Sequence, residues 1–400
     1  MKQTVFTLIL LGVFATPVFS QNTFSFALNL ADPNITTYKG PCYAHLEDGF
    51  KRDELVLLLP GKGYQPTFYD QIMIQAGKLG YHSLALKYVD DAPLDIQASC
   101  GGNGSSCFVD AREEGITGND VSPFVSIDRT NSIEHRLIEA VQYLNDVFPG
   151  NGWDKFWTGD STISWDKVRI IGHDEGAGYA AAIALRERLA RVVLMGWADW
   201  DDNANTVPAW LSTPGVTDAA NWYGFAHVQD EVAAFSRQEA TWDSLGMKAF
   251  GAIADVDAQA FPFNNSHILS TDVMPNLQNN AYNDAVIVSS FVPQNNGEPV
   301  FLEVWSYLID GSTKVSIDDQ VEELSVRIYP NPATSVLYVE GNFGLNTSVT
   351  LYNQLGQIAE ADLTISADLI EIHPPAAAVG MYLLKVDSDT KSVIRQVIIQ

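Results

Sequence analysis

The run from Asp53 to Leu59 is continuously apolar beyond its first acidic residues, and Pro60-Gly61-Lys62-Gly63 ends it, the signature of a strand buried on both faces. Thr67 to Leu79 then shows helical spacing, with Phe68, Ile72, Ile74 and Leu79 available for a core face, and Tyr81 to Tyr88 reads as the next strand. An insertion follows, with the polar stretch Arg112-Glu113-Glu114-Gly115, before a helix from Ser132 to Val147. Lys167 to Ile171 is a strand, Gly178 to Leu189 a helix, and Val192 to Trp197 a strand; Trp222 to Ala226 and Met247 to Ala254 complete the series. Strands alternating with helices imply right-handed crossovers and a mostly parallel sheet, so the expected class is α/β.

The pattern changes at Ile309-Asp310-Gly311-Ser312-Thr313-Lys314. Beyond it, short alternating runs (Ser325 to Tyr329, Ser335 to Glu340, Ser348 to Tyr352, Met381 to Val386, Val393 to Ile399) lie between turn residues and predict a small antiparallel β-sandwich. At the other end, Met1-Lys2-Gln3, the apolar Val5 to Phe14 and Val18-Phe19-Ser20 read as a secretory signal peptide, its apolar run too short to span a bilayer. The expected organisation is a signal peptide over 1–20, an α/β domain over 21–310, a linker over 311–325 and the β-sandwich over 326–400. No later segment is long and apolar enough for a transmembrane helix.

Composition narrows the partners. The 400 residues are 46% hydrophobic, enough for a large core, and the net charge of -26 argues against nucleic acid or an anionic membrane surface. Of three cysteines, Cys100 and Cys107 bracket a flexible Gly101-Gly102-Asn103-Gly104-Ser105-Ser106 loop and are expected to pair, leaving Cys42 free and buried. With no phosphate-binding loop, metal cluster or dinucleotide fingerprint, no cofactor or metal is expected.

The chemistry concentrates at Gly172-His173-Asp174-Glu175-Gly176, where a strand runs through a Gly-x-Asp-x-Gly turn into an Ala-rich helix. This resembles the nucleophile elbow of the α/β-hydrolases, with aspartate where serine is usual. The body from about Leu55 to Leu308 resembles a group of secreted α/β-hydrolase-like proteins. The shared features are Leu59-Pro60-Gly61-Lys62-Gly63 with Pro66, Arg112-Glu113-x-Gly115, the elbow, Trp222-Tyr223-Gly224-Phe225-Ala226-His227-x-x-Asp230, Ser266-His267-x-Leu269 and Val304-Trp305-x-Tyr307-Leu308. In that group the elbow is commonly Gly-His-Ser-x-Gly, and a histidine expected near Ala281-Tyr282-Asn283 is replaced here by Tyr282. Val326-Arg327-Ile328-Tyr329-Pro330-Asn331-Pro332-Ala333, Leu351-Tyr352-Asn353-Gln354-Leu355-Gly356-Gln357 and Gly380-Met381-Tyr382-Leu383-Leu384-Lys385-Val386 resemble the C-terminal sorting domain of type IX secretion substrates. That resemblance implies export through the periplasm and across the outer membrane, followed by release or surface attachment, with the secretion machinery as a partner.

The hydrolase resemblance implies a triad in the order nucleophile, acid, histidine: Asp174, Asp230 and His267, with Asp199 as the competing acid. It also implies an oxyanion hole from the N–H of Glu175 and one near Lys62 or Gly63. An aspartate nucleophile would attack a saturated carbon, as in haloalkane dehalogenases and epoxide hydrolases, forming an ester that water activated by His267 then cleaves. Glu175, where those enzymes typically carry tryptophan, weakens the dehalogenase version. For a conventional ester, Asp174 would have to form an anhydride. Two functions therefore stand open: a hydrolase of ester, epoxide or carbon-halide bonds acting on a small-molecule substrate, or an inactive hydrolase-like binding protein whose entrance aromatics (Trp197, Trp200, Trp210, Trp222) contact a ligand.

Overall fold

The computed structural model describes residues 22–47, 51–90, 95–159, 162–276, 280–311, 326–344, 347–352, 358–359, 361–366, 368–374, 379–388 and 391–400. The expected signal peptide, and the expected linker from residue 312 onward, lie outside them. The chain divides into two compact units, Met1–Thr313 and Lys314–Gln400.

The first unit is built on a nine-stranded sheet in the order β1-β2-β4-β3-β5-β6-β7-β9-β8. Its strands are β1 (Thr23–Phe26), β2 (Cys42–His45), β3 (Leu55–Leu59), β4 (His82–Ala85), β5 (Val168–His173), β6 (Arg191–Met195), β7 (Trp222–His227), β8 (Ala254–Asp255) and β9 (Ile268–Thr271). Strands β3 to β9 run parallel, while β1 and β2 make the antiparallel edge. Every residue of β3 is buried, as a central strand covered on both faces requires.

The helices are α1 (Asp70–Lys78), α2 (Ile96–Cys100), α3 (Ser105–Thr117), α4 (Ile133–Val147), α5 (Glu175–Arg186), α6 (Phe235–Ser244), α7 (Tyr282–Ala285) and α8 (Leu302–Asp310). Residues of α3, α4, α5 and α6, among them Phe108, Val141, Ala180 and Trp242, pack in the core on one face of the sheet. On the other face, α1 and α8 bring Ile72, Met73, Trp305 and Leu308. Ser132 caps α4 by accepting the N–H of His135. The second unit has two four-stranded antiparallel sheets around Leu337, Val339, Ile370, Leu384, Val386 and Val397.

Two elements depart from expectation. The stretch holding Arg112-Glu113-Glu114-Gly115 is the helix α3, whose buried Glu114 accepts the backbone N–H groups of Val121, Ser122 and Ile127. Met247 to Ala254 is not a strand: Met247–Phe250 is a 3₁₀ turn, Gly251 takes a φ of 125°, and β8 is only Ala254–Asp255. The strand beside β7 is instead β9, which begins after His267.

Cys100 and Cys107 are disulfide-bonded, with Cα atoms 5.3 Å apart. Cys42 is free and buried, and its burial pushes the thiol pKa up to about 12, far from a reactive thiolate.

Candidate functional site at the carboxyl ends of the strands

In an open parallel sheet, ligands meet the crevice outside the carboxyl ends of the strands. Asp174 stands there, between the last residue of β5 and the first of α5, with φ 48° and ψ -123°. Positive φ in a residue with a Cβ is strained, so the surroundings must hold it in place. Two glycines make that possible: a Cβ on Gly172 would come within 2.3 Å of the Ala177 Cα, and one on Gly176 within 2.1 Å of the Leu59 carbonyl oxygen. The Asp174 N–H donates to the Met195 carbonyl at 3.0 Å.

His173 is fully buried and serves the scaffold. The Tyr69 hydroxyl accepts the Gly61 N–H at 2.9 Å and lies 2.9 Å from His173 Nδ1. His173 Nε2 faces the Asn283 carbonyl at 3.2 Å, an acceptor, so in the neutral ring Nε2 carries the proton and Nδ1 accepts from Tyr69.

The carboxylate of Asp174 turns toward the β3 turn, where its Oδ2 accepts the Lys62 N–H at 3.0 Å. This donor is the one expected in the oxyanion hole, and the protein's own carboxylate fills it. The Gly63 N–H is directed elsewhere, donating to the Asp90 carbonyl at 2.9 Å. Glu175 opens α5, so its N–H belongs to the first helical turn, where N–H groups have no partner within the helix. Lys62 Nζ is paired with Asp95 at 2.6 Å.

Asp230, in the loop after β7, is held by four neutral donors. Its Oδ1 accepts the N–H groups of Val232 and Ala233 at 2.9 and 2.8 Å, and its Oδ2 accepts Gln238 Nε2 and Asn283 Nδ2, both at 2.8 Å. Burial pushes its carboxyl above the usual range, against the pull of those donors. Asn283 also donates to the Gly196 carbonyl at 2.7 Å. The group that reaches Asp230 from the chain beyond β9 is therefore an amide. Tyr282, the residue that drew notice in the sequence, instead packs against His227 at 4.6 Å.

His267 is not brought to Asp174 or Asp230. It precedes β9 at the amino ends of the strands, with its ring between Tyr223 and Phe250 at 4.1 and 4.5 Å and its Nδ1 3.0 Å from the carbonyl of Trp222, the first residue of β7. Met247 to Ala254, read as the last strand of the series, would have left His267 beyond a carboxyl end; β9 begins after it and puts it at an amino end. Burial depresses its pKa. Among the described residues no imidazole is hydrogen-bonded to Asp174 or Asp230.

Asp199, after β6, belongs to a different cluster. Arg112, wholly buried on α3, grips it with Nη1 and Nη2 at 2.6 and 2.8 Å and reaches Glu175 at 3.2 Å. Trp197 Nε1 adds a bond to Asp199 at 3.0 Å, and the guanidinium lies 5.3 to 5.9 Å from the rings of Trp210, Trp197 and Phe108. One guanidinium cannot neutralise two carboxylates, and burial pushes Glu175 up to about 8 despite Arg112. A neutral Glu175 beside a charged Arg112–Asp199 pair satisfies the geometry. Of the four tryptophans expected at the entrance, Trp197, Trp210 and Trp222 are core residues; Trp200 is partly exposed, under the guanidinium of Arg237 at 4.9 Å.

Residues 327–400 match the family described as the secretion system C-terminal sorting domain. The second unit is a sorting domain. It marks the chain for type IX secretion to the cell surface or the extracellular space. Among the described residues no helix is long and apolar enough to cross a membrane. No curated protein matches the chain in sequence. Among solved structures, poly(aspartic acid) hydrolase-1 from Sphingomonas is 14% identical with a TM-score of 0.33, over 66% of this chain and 96% of that one. A Klebsiella pneumoniae protein described as a dienelactone hydrolase is 11% identical with a TM-score of 0.31, over 63% and 85%. These are distant likenesses. The α/β-hydrolase-like fold of the unit that precedes the sorting domain is read from its own strand order and the turn after β5.

Proposed function

We propose that the first unit is an extracellular, hydrolase-like binding protein that does not turn over substrate through Asp174. The observation that carries this reading is the pairing of Asp230 with Asn283: the side chain that meets the acid is an amide, which can neither take nor return a proton at neutral pH. The Lys62 N–H supports it, being occupied by the Asp174 carboxylate rather than open to a substrate oxygen. A carboxylate nucleophile would still need a base to activate water for release of its ester, and His267 at the far end of the strands does not supply one. The strained backbone of Asp174 is what a displayed nucleophile would use, and it is the feature that favours the catalytic alternative.

The test compares the mature protein, Asp174→Ser and the double variant Asp174→Ser/Asn283→His on short-chain aryl esters, epoxides and haloalkanes. The expected result is a silent natural protein, a single variant at or near background, and ester cleavage with an initial burst in the double variant. Turnover of epoxides or haloalkanes by the natural protein that vanishes in Asp174→Asn would overturn the reading and establish carboxylate chemistry.

A further inference from the structure

At the opposite end of the sheet from Asp174 lies a cavity of about 240 Å³ between the antiparallel edge strands and the end of α4. The apolar residues of its lining are Phe24, Ala44, Leu46 and Phe148, with the buried Leu144 and Trp153 behind them. These walls are fixed by contacts of their own: Phe24 meets Phe148 edge-to-face at 5.1 Å, and Trp153 packs edge-to-face on His82 at 4.9 Å. A dry cavity of about 150 Å³ holds benzene, so this one admits a ring with a small substituent. Pre-formed walls spare a ligand the cost of ordering them.

Lys51 and Asn151 also line the cavity. Lys51 Nζ donates to Asn151 Oδ1 at 3.3 Å, a neutral partner, and among the described residues no carboxylate oxygen lies within ion-pair distance of it. Glu47, near this end of the sheet, is engaged by His45 Nε2 at 3.0 Å and by Asn22 Nδ2. An ammonium with no carboxylate in ion-pair distance among the described residues, beside a half-open cavity with Phe24, Phe148 and Trp153 in its wall, is complementary to a carboxylate carried on an apolar body. The net charge of -26 opposes an anion at long range, but that repulsion is screened beyond about 8 Å in physiological salt, whereas Lys51 would act at contact.

We infer that this cavity binds a small monocarboxylate bearing one aromatic ring, with the ring among Phe24, Leu144, Phe148 and Trp153 and the carboxylate on Lys51. The inference does not rest on the reading of Asp174.

The test is titration of the mature protein with phenylacetate, followed by calorimetry and saturation-transfer NMR, beside the neutral phenylacetamide and the cationic phenethylamine. Phenylacetate is expected to saturate with a Kd on the order of 1 mM or tighter, and phenylacetamide to bind at least about tenfold more weakly. Lys51→Met should weaken phenylacetate about tenfold or more while leaving the thermal midpoint unchanged. Leu144→Trp, checked for a native circular-dichroism spectrum, should abolish binding, and Asp174→Ser should leave it unchanged. Failure of phenylacetate to saturate, equal affinity for phenylacetamide, or indifference to Lys51→Met would each overturn the inference. Sensitivity to Asp174→Ser would also overturn it, by moving the ligand to the other end of the sheet.

Discussion

Asp199 and Asp230 follow adjacent strands, β6 and β7, at their carboxyl ends, and both are nearly inaccessible, at 1% and 8% exposure. Their surroundings differ in kind. Asp199 has a guanidinium on both oxygens and an indole N–H besides, so its charge is matched by charge. Asp230 is held by two backbone N–H groups and two side-chain amides, none of them charged. Between two carboxylates that strand order alone does not separate, the donors decide: the end of β6 is a closed ion pair, while the end of β7 is a polar socket that accepts a side chain from beyond β9. A socket of that form takes an imidazole or an amide, and here it holds an amide.

The sharpest way to break this contrast is to remove the charge at the β6 end. Arg112→Met leaves Asp199 and Glu175 buried without a cation and should cost about 3–5 kcal/mol in chemical denaturation. A loss under about 1 kcal/mol would mean that the two ends are compensated alike.

The next effect is a pH dependence confined to the same end. Glu175 has a folded pKa of about 8 against an ordinary value of 4.5. Between those values the unfolded chain has lost the proton that the folded chain keeps, so unfolding releases a proton and rising pH favours it. The stability that protonated Glu175 contributes is complete below about 4.5 and is lost as pH rises to about 8, by up to about 1.4 kcal/mol per pH unit. Glu175→Gln should remove that slope, so denaturation midpoints at pH 5, 6.5 and 8 should fall in the natural protein more steeply than in the variant. Parallel slopes would mean that Glu175 is ionised throughout, a second negative charge beside Asp199.

At the β7 end the cost is that of neutral hydrogen bonds. Asn283→Ala removes one donor from Asp230 and leaves the Gly196 carbonyl unpaired, a loss of about 1–3 kcal/mol by thermal or denaturant unfolding. The smallest effect belongs to the exposed rim of the β6 end, where Arg237 covers Trp200: Arg237→Ala should change stability by about 0.5–1 kcal/mol and raise the solvent quenching of indole fluorescence.

Much of this was legible in the residues. Leu55 to Leu59 read as a buried strand because apolar residues fill it, and Gly172 and Gly176 marked the turn because backbone approaches backbone there. The helix α3 was obscured by its own buried face: Arg112 and Glu114 point inward, which reverses the polarity that helical periodicity looks for. The four residues of β9 were too short to outweigh the longer apolar stretch at Met247, where the chain turns in a 3₁₀ helix, and the misplacement of His267 follows from that one exchange. Asn283 carried no signal of its own, since an asparagine on a one-turn helix resembles any loop amide until Asp230 is seen opposite it.

The backbone of Asp174 also bears on how this site is able to change by descent. Aspartate and serine codons are two base changes apart, and the two shortest routes that reach the AGY serine codons pass through asparagine or glycine. At most positions those intermediates would be arbitrary. With φ at 48°, they are two of the residues that this conformation tolerates best, whereas alanine and tyrosine, the intermediates on the routes to the remaining serine codons, are disfavoured there. The fold therefore leaves open a short mutational corridor between a serine and an aspartate at the apex of the turn, and the amide at Asn283 lies a single base change from histidine.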